Sequence, residues 1–158
     1  MIDLNYLDNK LIICPEDFKD KVFTNMNQSK KLYNIKMISI EQFYTDVTFN
    51  ISKEMIYYVM KKYNVTVGVA KSYLKSLKDI YYVLDNDNKK YLFLKSILKE
   101  LINNNLIKDN NLNYYSFQNI LVIGYCSIEK KYKIVFDKFE NIEIIKTNVF
   151  NRKLLQLY

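Results

Sequence analysis

Few side chains in this sequence can do chemistry. There is no histidine among its 158 residues. That removes imidazole acid–base catalysis, the Ser-His-Asp and Cys-His arrangements, and every zinc site that needs a histidine ligand. The two cysteines, Cys14 and Cys126, cannot supply four ligands. Each lies at or just past the C-terminal end of an apolar run, so the pair could approach in a parallel sheet. The simpler reading is two reduced, partly buried small side chains. Asp17, Asp20, Glu41 and Asp46 share no spacing that marks acid–base or metal chemistry, and read as solvated helix residues. No catalytic residue, metal, cofactor or small-molecule substrate is expected.

Phosphate chemistry is excluded on similar grounds. A nucleotide-hydrolysing loop runs G-x-x-x-x-G-K-[ST], its amides and lysine holding the phosphates. After "LIIC" this chain continues "PEDFKDKVF", with no glycine and with acids that repel phosphate. Gly68 and Gly124 are the only glycines, so no glycine-rich cradle can form anywhere. After "NILVI", where an ATPase places an acid for magnesium, stand Gly124 and Tyr125.

The elements that position these residues follow from apolar spacing. Leu11–Cys14, Ile35–Ile40, Ile120–Ile123 and Ile142–Lys146 read as strands. Pro15, Glu16 and Asp17 suit a helix start, with Phe18, Val22 and Phe23 on its apolar face. Ser39 and Gln42 form a capping-box pattern for the next helix. Ser52 is a fitting N-cap for a helix whose face is Met55, Ile56, Val59, Met60 and Tyr63. The spacing repeats through Val69, Tyr73, Leu74, Leu77, Ile80 and Leu84. It repeats again through Leu94, Ile97, Leu98, Leu101 and Ile102. Ser127 is expected to cap the helix after the third strand, with Ile128, Tyr132, Val135 and Phe139 as its buried stripe.

Strands separated by helical crossovers predict one α/β domain over residues 1–158, built on a small parallel sheet. The sheet core spans about residues 10–40 and 118–150, and a helical insertion of about 41–117 separates the second and third strands. The tail "VFNRKLLQLY" reads as the start of another helix or an irregular segment with no closing cap, so the chain is expected to be a fragment of a longer one. Ligands in such sheets bind beyond the strand carboxyl ends. That directs attention to Cys14–Glu16, Ser39–Gln42, Gly124–Ser127 and Thr147–Asn148.

The net charge is +7, but Arg152 is the only arginine among 24 basic residues. Lysine-rich excess charge can bind polyanions, while scarce arginine disfavours sequence-specific base reading. Fifteen tyrosines, some paired as Tyr57-Tyr58, Tyr81-Tyr82 and Tyr114-Tyr115, could stack single-stranded bases or simply pack helices. No apolar run approaches the ~20 residues of a membrane span, and "MIDLNYLDNK" is no signal peptide, so the expected address is the cytoplasm.

Taken in order, "NKLIICPEDF", "IKMISIEQF", "IYYVMKKYNVTVGVAKSYLKSL" and "ILVIGYCSIEKKYKIVFDKFENIEII" resemble the helicase-like N-terminal region of UvrD/AddB-type DNA-repair helicase–nuclease proteins. The resemblance implies a P-loop-helicase-like fold in degenerate form. In active relatives the first strand leads into a phosphate loop and the third into an Asp-Glu pair. This chain departs at both places and is similar to the branch that keeps the fold without hydrolysis. The implied partners are DNA, as a single strand or duplex end, and a partner helicase subunit; the implied role is to guide the DNA. Ser39 matches the threonine of the second-strand motif beside the single strand, with Ile40 where that motif has phenylalanine. Ser39, Gln42, Tyr125 and Ser127 are the expected nucleic-acid contacts. The alternative is a protein-interaction scaffold with no nucleic-acid role.

Overall fold

A computed structural model describes residues 10–27, 34–83, 88–107 and 119–145, leaving out the side chains of 22, 23 and 25–27. The described residues fall into two compact units. One lies within Met1–Tyr44 and Asn113–Tyr158, the other within Thr45–Leu112.

The first unit is an α/β layer structure. Its strands are β1 (Lys10–Ile13), β2 (Lys36–Ile38), β3 (Asn119–Val122) and β4 (Ile142–Ile144). They form one sheet in the order β2-β1-β3-β4, and every pairing is parallel. In the central pair, Ile12 lies opposite Met37 on one side and Leu121 on the other. Leu11, Ile12, Ile13, Ile120, Leu121 and Val122 are all nearly inaccessible, the pattern of strands covered on both faces. Edge strands β2 and β4 are partly exposed.

Alternation along the strands assigns the faces. Ile12, Cys14, Leu121 and Ile123 share one face with Phe18 of α1 (Glu16–Asn27). Sequence order then fixes the rest. The step from β1 to β2 runs one way along the sheet, and the steps to β3 and β4 run the other. Right-handed crossovers therefore place α2 (Ile40–Val47) and α6 (Lys130–Phe136) on the opposite face from α1. There Phe43 meets Phe136 with ring centroids 5.5 Å apart, and Tyr44 meets Tyr132 edge-on at 5.2 Å.

Among the described residues, the second unit is built on α3 (Lys53–Tyr63), α4 (Val67–Asp79) and α5 (Lys89–Asn103). Each begins at a polar cap: Ser52, Thr66 and Asn88 accept from the backbone N–H of Met55, Val69 and Lys90. Their shared core contains Met55, Val59, Ala70, Leu74, Leu77, Leu94, Ile97 and Leu101. The predicted faces hold except at two places. Val69 is 38% exposed and Ile102 is 36% exposed, because Ala70 and Leu101 are the residues turned inward. Asn34, Asn64 and Asn105 have positive φ, and Asn64 ends α3 as a left-handed C-cap.

Three expectations need correction in the first unit. The second strand stops at Ile38, leaving Ser39 to cap α2. The helix after β3 begins at Lys130 rather than after Ser127, and its N-cap Glu129 makes no side-chain cap bond. Phe136, missed in the spacing, is as buried as Val135. The expectations for Val22, Phe23, Leu84, Tyr114, Tyr115, Thr147, Asn148 and the tail lie outside the described residues and side chains.

Leu74 has no accessible surface and lies in the three-helix core. Leu74→Ala should cost about 2–5 kcal/mol in a denaturant titration, through lost transfer energy and the cavity left behind.

Candidate functional site

In an open parallel sheet the ligand crevice lies beyond the strand carboxyl ends, where successive connections leave in opposite directions. Here that point is between β1 and β3. The strand ends are closely tied: Cys14 N–H donates to the Ile38 carbonyl at 3.1 Å, and Ile123 N–H donates to the Ile13 carbonyl at 3.0 Å.

Gly124 makes the turn that follows β3. Its φ is +82°, and a Cβ built there would lie 2.8 Å from Cδ of Pro15 and 3.3 Å from the Phe18 ring. Both the backbone conformation and the space therefore require glycine. The loops after β1 and β3 touch at this point, and the contact aims the next residue across the crevice.

That residue is Tyr125. Its hydroxyl accepts the Ile40 N–H at 3.0 Å, at the first residue of α2. Since β1 separates β3 from β2, this one hydrogen bond ties the turn after β3 to the start of the helix after β2. Burial, chiefly, holds the phenol well above the usual tyrosine range, with Glu41 and Cys14 adding in the same direction. Two residues along, Gln42 N–H donates to Ser39 Oγ at 3.1 Å, so the predicted cap is formed. Two of the amides that open α2 are thus taken by the protein's own hydroxyls. Amides at such a helix start are what a phosphate would otherwise engage.

The first strand ends differently from a phosphate site. Glu16 and Asp17 occupy the first turn of α1, and Lys19 pairs with Glu16 at 2.7 Å. Cys14 is fully buried and free, and loss of solvation pushes its thiol up to about 11. Cys126 is also free but exposed. The cysteines are therefore two separate thiols in different surroundings.

Of the four predicted contacts, Ser39, Gln42 and Tyr125 converge on the start of α2. Ser127 does not join them there. With Cys126, Ile128, Lys133, Asp137, Ile144 and the flank of Tyr125, it lines a cleft of about 500 Å³ past the ends of β3 and β4. Among the described residues no group of three or more His, Cys, Asp or Glu converges as a metal site. Nor is any helix among them long and apolar enough to cross a membrane. The Gly124–Pro15 contact was not evident from sequence, because the two residues are distant along the chain. Its only signal was a lone glycine at the end of an apolar run.

No match is found among protein-family models, curated proteins or solved structures.

Gly124→Ala should destabilise the fold by about 2–3 kcal/mol, from left-handed backbone and overlap combined. The loss should shrink in a Pro15→Ala background, where the overlapping atom is gone, as a thermal double-mutant cycle would show.

The thiols give a second test. With Ellman's reagent at neutral pH, Cys126 should react in the folded protein and Cys14 only on unfolding. Cys14 has a folded pKa of about 11 against 9.0 for the free group. Above the lower value only the unfolded chain loses this proton, so stability should fall as pH rises from about 9 towards 11. That component should be absent from the stability-versus-pH curve of Cys14→Ala.

Proposed function

We propose that this chain is a non-hydrolysing, helicase-like module of a DNA double-strand-break repair helicase–nuclease, which guides DNA and contacts a partner helicase subunit. In this reading the sheet is a degenerate P-loop-helicase core, and residues 45–112 are a helical insertion between its second and third strands. The observation that carries it is the closed crevice. Tyr125 and Ser39 hold amides at the start of α2, and the first turn of α1 is acidic, so the crevice at the strand ends offers no place for a triphosphate, which supports a core that has lost its nucleotide chemistry. A retained frame with its chemistry removed suits binding, as the resemblance to the non-hydrolysing branch implies.

Surface charge bears on the DNA half. Beyond the strand ends Lys19, Lys130 and Lys131 are interspersed with Glu16, Asp17, Glu41 and Glu129, so this edge is mixed in charge. The Ser127 hydroxyl and the Gln42 side chain are exposed there. The mixed edge favours a second reading, a protein-interaction scaffold whose lysines reflect only coding bias.

Two titrations separate these readings. With fluorescein-labelled oligo(dT), the guiding role predicts anisotropy-detected binding that weakens steeply with salt. Four lysine–phosphate contacts would lose roughly 50-fold between about 50 and 200 mM. Absent or salt-insensitive binding selects the scaffold. Calorimetry with magnesium-ATP should give no binding heat; saturable binding would sink the non-hydrolysing reading.

A further inference from the structure

We infer that the surface around the first turns of α4 and α5 docks an acidic, amphipathic helix of a partner protein. The inference rests on the partner-binding part of the reading above and is independent of its DNA part.

The centre of this surface is apolar. Phe93 of α5 packs edge-on to Tyr63 at the end of α3 and to Tyr73 of α4, with centroids 5.4 and 5.2 Å away. Val69 lies one helical turn before Tyr73, and Leu92 adjoins Phe93. Leu92 is 51% exposed, Val69 38% and Phe93 36%. Apolar side chains contributed by neighbouring helices and left facing outward mark a contact surface rather than scattered exposure.

Its rim is basic to an unusual degree. No acidic residue occurs from Asn64 to Lys78 or from Asn88 to Lys99. Lys71 and Lys75 follow one stripe of α4, Lys89 and Lys90 open α5, and Lys95 lies a turn beyond Leu92. None of these five pairs with a carboxylate among the described residues. By contrast, Lys62 pairs with Glu100 and Lys78 donates to Thr45 Oγ1.

Helix polarity adds to this field. α1, α2 and α3 each carry an acid in the first turn, whereas α4 and α5 carry none. Their partly positive N-terminal ends are thus uncompensated, and α5 adds two lysines to its own. An occupant must therefore bring negative charge around an apolar stripe. A helix with apolar residues three and four apart and Asp or Glu on its flanks does both.

The other occupants fit less well. The aromatic rings are packed edge-to-face against one another, and Val69 and Leu92 offer no flat surface for stacking bases. A two-fold contact with a second copy would set basic rim against basic rim.

The test is to pan a phage-displayed library of random sixteen-residue peptides on the full chain and measure the best binder by anisotropy. Oligo(dT) is titrated alongside. The expected peptides combine apolar residues at three-to-four spacing with flanking Asp and Glu. Leu92→Glu, a change at an exposed position, should weaken the peptide about tenfold or more. Lys71→Glu with Lys75→Glu should slow association and flatten its salt dependence. Circular dichroism should match wild type in both variants. Failure to enrich peptides, enrichment without acidic bias, or indifference to Leu92→Glu overturns the proposal. So does oligo(dT) binding, or a dimer, that Leu92→Glu abolishes. Oligo(dT) binding that survives failed panning refutes the docking surface alone, leaving the DNA reading standing.

Discussion

The contact between Gly124 and Pro15 decides what the strand ends can be. A backbone at positive φ pressed against a proline ring admits no side chain at all. With that approach fixed, the chain leaving β3 passes over the end of β1, and Tyr125 reaches the start of α2. Three connections are thereby joined at one place: the turn after β1, the turn after β3 and the helix after β2. Opening the crevice would require breaking the tyrosine's hydrogen bond and exposing a half-buried ring. Each is a modest cost, on the order of 1 kcal/mol for the bond alone. Together they make the closed arrangement the ground state.

The same economy recurs in the buried thiol. Cys14 follows the innermost strand, where a polar group would be costly, and it is held neutral by its surroundings. It packs as a small apolar residue beside Ile12, Leu121 and Phe18. The carboxyl end of β1 is thus made of packing contacts, and the charged groups stand around it rather than in it.

Much of the first unit was legible because parallel strands buried on both faces leave unbroken apolar runs, as in "LII" and "ILV". Strand order was not legible, since pairing links residues that sequence spacing does not connect. Helix starts were readable where a capping hydroxyl stood directly before the periodic run, as at Ser39 and Ser52. They failed at Ser127, where two further residues intervene and the chain stays extended to Glu129. On α4 the inward side was misread because Ala70 is small and Val69 is larger. Hydrophobicity favours valine, but the position turned into the core is the alanine. In the candidate site, Ser39 and Gln42 followed from a local pattern. What Tyr125 does depended on a contact 85 residues distant.

The three left-handed turns at Asn34, Asn64 and Asn105 carry a further implication. Glycine adopts that geometry without strain, but it leaves the denatured ensemble with many more conformations to surrender. Asparagine accepts some intrinsic strain, and its side chain narrows that ensemble. With two glycines in the entire chain, backbone freedom in the denatured state is unusually restricted. A coding bias that depletes glycine can therefore leave such a domain foldable, the strain in its turns being partly offset by the smaller disorder it gives up.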